Sequence, residues 1–419
     1  MTIVKHLVFS GGGPIGFVEY GALKYLTEKK FIEYKNIESI YSISVGGIIG
    51  LIYILNYEWP WMDDFLIKRP WNKLCNISYS SYINILYEKG IINKKVIISA
   101  LEPLFLAKNI PLNITLLEFY NLTKIEFNIF ACCLSNLQQT KFNHNTSPNV
   151  ELIDALYISL TVPIVFAPLY INDDLYLDGG IIVGCPINLC IADKKCTNDE
   201  IFCFMNDKTH PIDLSNSFYN KTDNKADNKV NNKVNNVISK DANFFEYIFF
   251  LIKKLFAKIS NVENDIIVYI KNHINTALSY NYIDISYWLH VMSYEKERSH
   301  LVNLGKLQAE IFIATLEQTS VLESKCSELN NQKGESSTNS ILNNIETEPD
   351  QGPDPEPDQE PDQGPDQEPD QEPDQEPDQE PEPDQEPDQE PEPEPEPDQE
   401  PDQEPDQEPD QEPEPAFTF

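Results

Sequence analysis

The sequence predicts an α/β fold with a mainly parallel central sheet flanked by helices. Two short apolar runs, residues 5–10 and 39–43, each end at a turn of small residues that leads into a helical pattern. A buried parallel strand reads as a continuous apolar run, and alternation of strands with helices is typical of a parallel sheet covered on both faces. We therefore expect residues 3–60 to form strand, turn, helix, strand, turn and helix in that order.

The further elements follow from hydrophobic spacing. The first helix is predicted over residues 15–29 and the second from Ser44 or just after it, because apolar residues recur there at helical intervals. Residues 59–110 are aromatic and interrupted by Gly and Pro, so they are predicted to be a lid or a helical insertion. The remaining predictions are a strand at 125–133, a helix at 151–160, a hairpin at 169–177 that turns on 172–174, a strand at 201–205, and helices at 243–259 and 301–316.

Charge divides the chain into a nearly neutral body and an acidic tail. The net charge is −37, but all 31 Lys and Arg residues precede residue 341, and 33 of the 68 Asp and Glu residues follow it. The tail is an imperfect Pro-Asp-Gln-Glu repeat with nothing to bury, which predicts an extended, disordered chain. The predicted domains are an α/β domain at 5–206, an Asn/Lys-rich linker or loop insertion at 207–240, a helical region packing on the first domain at 241–325, a linker at 326–345, and the disordered tail at 346–419.

Composition also argues against several classes of protein. The chain has no basic stripe for nucleic acid and no run of 18 uncharged apolar residues that would span a bilayer. The N-terminal segment lacks the features of a signal peptide, and the eight cysteines have no metal-ligand spacing. We expect an intracellular, cytoplasmic protein without a metal or cofactor. Residues 243–259 are either an interfacial helix for peripheral membrane contact or a helix packed on the core.

Three short motifs together supply the groups that acyl transfer needs. Residues 11–16 (GGGPIG) form a glycine-rich turn after the first strand, Ser44 follows the second strand, and Asp178 ends a later one. They can provide an anion-binding turn, a nucleophile and a base, respectively. None of the three is specific on its own, and the prediction depends on their combination.

Ser44 stands at a predicted strand-to-helix elbow. Such an elbow exposes the serine oxygen at a helix N-terminus, where developing negative charge is favoured. Small residues must flank it because strand and helix cross closely. Gly46 meets this need, whereas Ser42 is a small polar residue at a position where Gly is usual. The alternative interpretation is a turn that merely begins a buried helix.

The turn at residues 11–16 allows several interpretations. Its G-x-G-x-x-G spacing matches a dinucleotide-binding fingerprint, but that fold needs an acid at the end of the second strand, and Glu38 precedes the strand. A P-loop is excluded because no Lys-Ser/Thr pair follows the last glycine. The turn is therefore either a backbone site for an oxyanion or a tight turn that needs only glycine torsions.

Asp178 is the candidate base. It ends a strand-like run, and Gly179 and Gly180 after it leave the carboxylate uncrowded, although an isolated Asp-Gly is also typical of a hairpin turn. A serine nucleophile needs a base, and none of the six histidines lies in a recognisable motif. A Ser–His–Asp triad remains an alternative, with His210 or His290 as the histidine.

These motifs resemble those of the patatin-like phospholipases, which are lipid acyl hydrolases with a Ser–Asp dyad. The resemblance covers residues 5–206 and includes the spacing from the glycine turn to the elbow and the Pro-bearing segment 162–168 before the Asp-Gly-Gly motif. It implies a three-layer fold in which Ser44 is the nucleophile and Asp178 accepts its proton. The motif residues it implies are Gly11, Gly12, Gly13 and Gly16 for the oxyanion hole, with the N–H groups of Gly12 and Gly13 as donors, Ser42 and Gly46 for the elbow, and Gly179 and Gly180 after the base.

Two positions depart from the family pattern: Ile15 stands where Arg or Lys is usual, and Ser42 where Gly is usual. The leading hypothesis is a hydrolase that cleaves phospholipid or neutral glycerolipid esters at a lipid surface through an acyl-enzyme. The alternatives are an inactive patatin-like interaction protein that presents its tail to an unspecified partner, a Ser–His–Asp α/β-hydrolase, and a dinucleotide-binding protein.

Overall fold

A computed structural model describes residues 3–74, 87–214, 247–248, 250–252, 254–255, 270–279 and 285–337. The predicted tail at 346–419, most of the linker at 207–240 and most of the helix at 243–259 lie outside these residues. The predicted α/β fold, with a mainly parallel central sheet between helices, is confirmed.

The strands are β1 (His6–Phe9), β2 (Ser39–Ile43), β3 (Gly90–Ile92), β4 (Glu126–Cys133), β5 (Gln138–Phe142), β6 (Ile164–Phe166), β7 (Leu169–Ile171), β8 (Asp174–Asp178), β9 (Ile201–Met205) and β10 (His273–Asn275). The helices are α1 (Ile15–Glu28), α2 (Val45–Leu55), α3 (Trp59–Asp63), α4 (Lys94–Leu106), α5 (Leu116–Thr123), α6 (Leu152–Ser159), α7 (Ile187–Lys194), α8 (Ile285–Ser293) and α9 (Glu295–Ser337). A π-helical turn, Asp64–Lys68, continues α3.

The central sheet has the strand order β10-β9-β1-β2-β4-β8-β7, with β5 also paired to β4. The pairs from β10 to β4 are parallel, whereas β8 and β5 both run antiparallel to β4. Alternate side chains of a strand point to opposite faces. Accordingly, Leu7 and Phe9 belong to one core cluster and Val8 to another, so both faces of the sheet are covered.

Strands β2 and β8 share one edge of β4. Strand β2 pairs with residues 126–130 of β4, β8 pairs with 131–133, and β5 pairs with 129–133. Because β5 overlaps both of the other ranges, it must lie on the opposite edge of β4. The last residues of β2 and β8 therefore meet beside the middle of β4, and the chain emerging from β2 faces the end of β8.

The hairpin β7–β8 and the helices agree with the predicted elements. Asn172 and Asp173 form its two-residue turn with φ values of 51° and 67°, as a type I′ turn requires. Residues 59–110 are a helical insertion in the part that is described. Helix α9 runs from Glu295 to Ser337, well beyond the predicted 301–316 and into the predicted linker.

Helix α9 packs on α1 at a close crossing. A Cβ on Gly21 of α1 would overlap the Val302 backbone, and a Cβ on Gly305 of α9 would overlap the Val18 backbone. The two glycines thus permit the contact that holds the C-terminal helices against the sheet domain. Short three-residue pairing between β3 and β6 forms a second, separate sheet beside the insertion.

Candidate active site

Ser44 lies at a strained elbow between β2 and α2. Its backbone has φ 54° and ψ −130°, a conformation that is costly for a residue with a Cβ. The crossing of strand and helix leaves no room at Gly46, where a Cβ would lie 2.6 Å from the Ser10 carbonyl oxygen. The elbow predicted from the sequence is therefore present, and it leaves Ser44 only 5% exposed.

Ser159, at the end of α6, hydrogen-bonds to the backbone of the elbow. The Ser44 N–H donates to the Ser159 hydroxyl oxygen at 2.8 Å, and that hydroxyl donates to the Phe130 carbonyl at 2.7 Å. Ser42 lies one position before the turn and donates to the Asn128 carbonyl at 3.3 Å. The serine in place of the usual glycine is thus accommodated by a backbone acceptor on β4.

Asp178 faces Ser44 at the end of β8. The Ser44 hydroxyl interacts with the Asp178 carboxyl and acts to lower its pKa. The Gly180 N–H donates to Oδ1 of the same carboxylate at 2.7 Å. Burial outweighs both groups and raises the pKa of Asp178 to about 6. A carboxyl with this pKa is ionised at neutral pH and is basic enough to accept a proton from a nearby group.

The backbone around Asp178 also depends on small residues. Its N–H donates to the Thr161 carbonyl at 2.9 Å. A Cβ on Gly179 would lie 2.5 Å from the Phe130 carbonyl oxygen, and one on Gly180 would lie 3.0 Å from the Asp178 carboxylate oxygen. The Asp-Gly-Gly motif therefore allows the chain to pass close to β4 while leaving the carboxylate directed at Ser44.

The glycine-rich turn lies directly against the elbow. A Cβ on Gly11 would lie 3.0 Å from the Ser44 Cβ, so the two segments touch. The Gly11 N–H donates to the Gly184 carbonyl at 3.3 Å, and the Gly16 N–H donates to the Gly13 carbonyl at 3.1 Å. Gly13 has φ +61°, and its own N–H has no acceptor among the described residues.

Asn206, just beyond β9, holds the glycine turn in place. Its side-chain amide donates to the Gly11 carbonyl at 2.7 Å, and its backbone N–H donates to the Ser10 hydroxyl oxygen at 3.1 Å. The Ser10 hydroxyl in turn donates to the Phe204 carbonyl at 2.6 Å. These hydrogen bonds tie the turn, which follows β1, to the end of β9 and keep its backbone next to Ser44.

Ser44 opens into an apolar cavity of about 210 Å³. Its walls come from α1, α2, the insertion, β6 and helix α8, and no lysine, arginine, histidine, aspartate or glutamate lines it in the described part of the chain. Ile15, at the position where the family pattern has a cation, is buried and 1% exposed. In the described lining, the Ser44 hydroxyl is the one side-chain hydroxyl, and the other lining side chains are almost all apolar.

The histidines of the triad alternative do not contribute to this cavity. His210 lies in the loop after β9, where its carbonyl accepts from the Asn275 side-chain amide, and the His290 ring packs at a tilt against Tyr294. The carboxyl whose pKa the Ser44 hydroxyl influences is that of Asp178. Within the described ranges, no cluster of three or more His, Cys, Asp or Glu residues is arranged to hold a metal ion. No helix in the same ranges is long and apolar enough to cross a membrane.

Residues 7–191 match the family model of the patatin-like phospholipases. They are a patatin-like domain. The resemblance inferred from the three motifs is therefore confirmed, and it covers the segment that carries Ser44 and Asp178. The C-terminal helices α8 and α9, which complete the cavity and brace α1, lie outside the matched segment.

Two viral proteins are similar to the patatin-like domain. The uncharacterized protein R571 of Acanthamoeba polyphaga mimivirus is 29% identical over 188 residues, which is 44% of this chain and 61% of that protein. The probable lipid hydrolase 463L of Invertebrate iridescent virus 6 is 28% identical over 189 residues, 45% of this chain and 63% of that protein. The chain thus spans about six tenths of the length of the curated relatives it matches.

Two solved structures are also similar. VipD from Legionella pneumophila has a TM-score of 0.39 and 16% identity, covering 75% of this chain and 67% of that one. The type III effector protein ExoU has a TM-score of 0.31 and 11% identity, covering 74% of this chain and 53% of that one.

The glycine turn touches Ser44, and Asp178 ends the strand that meets the end of β2, while the roles of these residues stay predictions. The residues that support this region were not predicted from the sequence. Ser159 and Asn206 were missed because each is an ordinary polar residue more than 100 positions away from the group it holds. Trp288, which packs on Gly13, was missed for the same reason.

Proposed function

We propose that the chain is a serine acyl hydrolase that cleaves carboxylic esters of lipids with a Ser44–Asp178 dyad. The observation that carries the proposal is the strand register, which brings Ser44 and the buried Asp178 carboxyl together, because Ile43 pairs with Phe130 and Asp178 pairs with Ala131. The match of residues 7–191 to the patatin-like phospholipases supports it, as does the similarity to the probable lipid hydrolase 463L of Invertebrate iridescent virus 6.

In the proposed reaction Asp178 takes the hydroxyl proton as Ser44 attacks the ester carbonyl. The oxygen of the tetrahedral intermediate accepts hydrogen bonds from the Gly12 and Gly13 N–H groups, which belong to the turn whose Gly11 touches Ser44. The C–O bond to the alcohol then breaks, and Asp178 returns the proton to the leaving oxygen. Water, deprotonated by Asp178, hydrolyses the acyl-enzyme and restores Ser44.

The cavity favours an acyl chain as the group bound beside Ser44. Its walls are hydrocarbon, and transfer of apolar surface from water contributes about 25 cal/mol per Å² buried. The absence of a cation from the described lining gives no fixed charge for a phosphate group. We infer that the chain binds lipid esters by their acyl part, that it meets them at a lipid surface, and that it works in the cytoplasm.

The test is ester hydrolysis by the purified full-length chain, with p-nitrophenyl esters of increasing chain length and then lipid panels. Ser44→Ala and Asp178→Asn are each expected to lower kcat by about 10³-fold or more, because dyad members act as a unit. Ser135→Ala is the matched control, since Ser135 is an exposed serine whose hydroxyl bonds Asp174. Turnover that survives Ser44→Ala would overturn the proposal, and a folded wild-type chain without turnover would favour the interaction-protein alternative.

A further inference from the structure

Trp288 of helix α8 closes the cavity wall beside the glycine turn. A Cβ on Gly13 would lie 2.5 Å from Cζ2 and 2.9 Å from Nε1 of this indole. The nitrogen edge of the ring therefore rests on Gly13, whose N–H is one of the two proposed oxyanion donors. Trp288 and Ser44 line the same cavity, in which an ester bound to Ser44 would lie.

The indole N–H of Trp288 is buried and has no hydrogen-bond partner in the described structure. A buried donor without a partner is unfavourable, and native structures contain few of them. The other indole of the cavity wall behaves differently, because Trp71 donates its N–H to the Leu66 carbonyl at 2.8 Å. The two tryptophans share an apolar setting, and only the one beside the oxyanion turn leaves its donor unused.

Simple packing does not account for this donor. The rest of the wall near Trp288 is aliphatic or phenylalanine, and a Phe or Leu there would fill space without burying an unused N–H. A donor that is unused in the free enzyme and lies beside the glycine turn of the reaction site could stabilise a transition state more than a ground state.

We propose that the Trp288 indole N–H is a third oxyanion donor, which hydrogen-bonds to the ester carbonyl oxygen as it becomes negatively charged. This inference rests on the proposed function. Ser44 forms its bond to the carbonyl carbon, the C=O π electrons move to oxygen, and the indole N–H shares that charge with the backbone donors of the glycine turn. The proton that leaves Ser44 goes to Asp178, so Trp288 gives up no proton. The reaction site is thus completed by a helix outside the matched segment 7–191.

The experiment replaces Trp288 in the full-length chain with β-(3-benzothienyl)alanine, which keeps the shape of the ring and exchanges the N–H for sulfur. Hydrolysis of a p-nitrophenyl ester is expected to lose roughly 10²-fold in kcat with KM within about twofold, as for removal of one oxyanion donor. Trp61 carries the same replacement as the control, because it is 39% exposed and does not line the cavity.

A second readout separates charge stabilisation from packing. An alkyl trifluoromethyl ketone forms a tetrahedral adduct with a nucleophilic serine, so its Ki is expected to rise by a factor similar to the fall in kcat. Trp288→Phe, a genetically simpler variant, is expected to show the same pattern. An unchanged kcat and Ki in a folded benzothienyl variant would overturn the role of Trp288 while leaving the dyad intact. Wild-type protein without turnover would overturn both proposals together.

Discussion

Ser44 and Asp178 reach each other from opposite directions along one edge of strand β4. Ile43, the last residue of β2, pairs with Phe130, and Asp178 pairs with the next residue, Ala131. The hydroxyl and the carboxylate are thus brought together by the register of two strands that end head to head. The proposed dyad needs no separate loop to position it, because both residues stand at the ends of strands.

The pH dependence of the reaction should report the ionisation of Asp178. Burial raises the pKa of this carboxyl to about 6, and only the ionised form can accept the Ser44 proton. We expect kcat/KM of the full-length chain to rise with pH through a midpoint near 6 and to level off above about 7. A profile that is flat from pH 5 to 8, measured with a neutral ester, would contradict this assignment.

Substitution of Ser44 should reveal the strain of the elbow. At φ 54° and ψ −130° a Cβ is unfavourable, and glycine adopts this conformation readily. We expect Ser44→Gly to have a free energy of unfolding about 1 kcal/mol higher than Ser44→Ala, as measured by urea denaturation. The same pair at Ser135, which is exposed and has no positive φ, is expected to show the opposite order.

Glu19 should make the fold less stable as the pH rises. This carboxyl of α1 has no exposed surface and no ion pair within the described ranges, and burial raises its pKa well above the usual value. The folded state therefore keeps a proton that the unfolded state releases above about pH 4.5. Below about pH 4.5 both states carry the Glu19 proton, and the free energy of unfolding is not reduced by this group. As the pH rises from 4.5 towards the pKa of Glu19 in the folded state, the free energy of unfolding decreases.

Glu19→Gln removes this ionisation while keeping the size of the side chain. We expect its Tm, relative to wild type, to increase steadily between pH 4.5 and pH 8. Glu28→Gln, at the exposed end of the same helix, serves as the control and is expected to show no such trend. Parallel Tm curves for Glu19→Gln and wild type would show that burial does not perturb the carboxyl.

Arg298 should be essential for joining the insertion to the C-terminal helices. It is 2% exposed and donates to the carbonyls of Ile67 and Val291 at 2.8 Å. It also donates to Met292 at 2.8 Å and to Arg69 at 3.0 Å. Replacing it would leave one buried and three partly buried carbonyls, on the insertion and on α8, without this donor.

We expect Arg298→Met to lower the free energy of unfolding by roughly 3 kcal/mol or more, because four carbonyls that are buried or partly buried lose their donor. Lys306→Met on the same helix, where the lysine is exposed, is expected to have an effect below about 0.5 kcal/mol. Equal urea midpoints for the two variants would contradict the structural role of Arg298.

The sequence predicted what depends on local chemistry. The elbow at Ser44 and the turn at residues 172–173 contain small residues and residues that tolerate positive φ, which are visible in the sequence. The structure has both features at the predicted positions. The family resemblance depended on the same kind of local signal, since Asp178 with its two glycines is recognisable in three residues. The parallel core was predictable because its strands are continuous apolar runs.

What was missed depends on tertiary placement. Ser159 supports an elbow 115 positions before it, and Asn206 holds a carbonyl 195 positions away. Strands β3 and β6 have three residues each, too few for a period to be visible. Trp288 looks like one more apolar residue of a helix until the fold places its nitrogen beside Gly13.

Reaction of the folded, full-length chain with a fluorophosphonate would show directly whether Ser44 is an activated nucleophile. The reagent phosphonylates activated serines, and peptide mass mapping of the product identifies the modified residue. We predict one adduct, on the peptide that contains Ser44, and a much slower reaction in Asp178→Asn because the hydroxyl would lose its base. An adduct at another serine, or labelling of Ser44 that is just as fast in Asp178→Asn, would contradict the dyad.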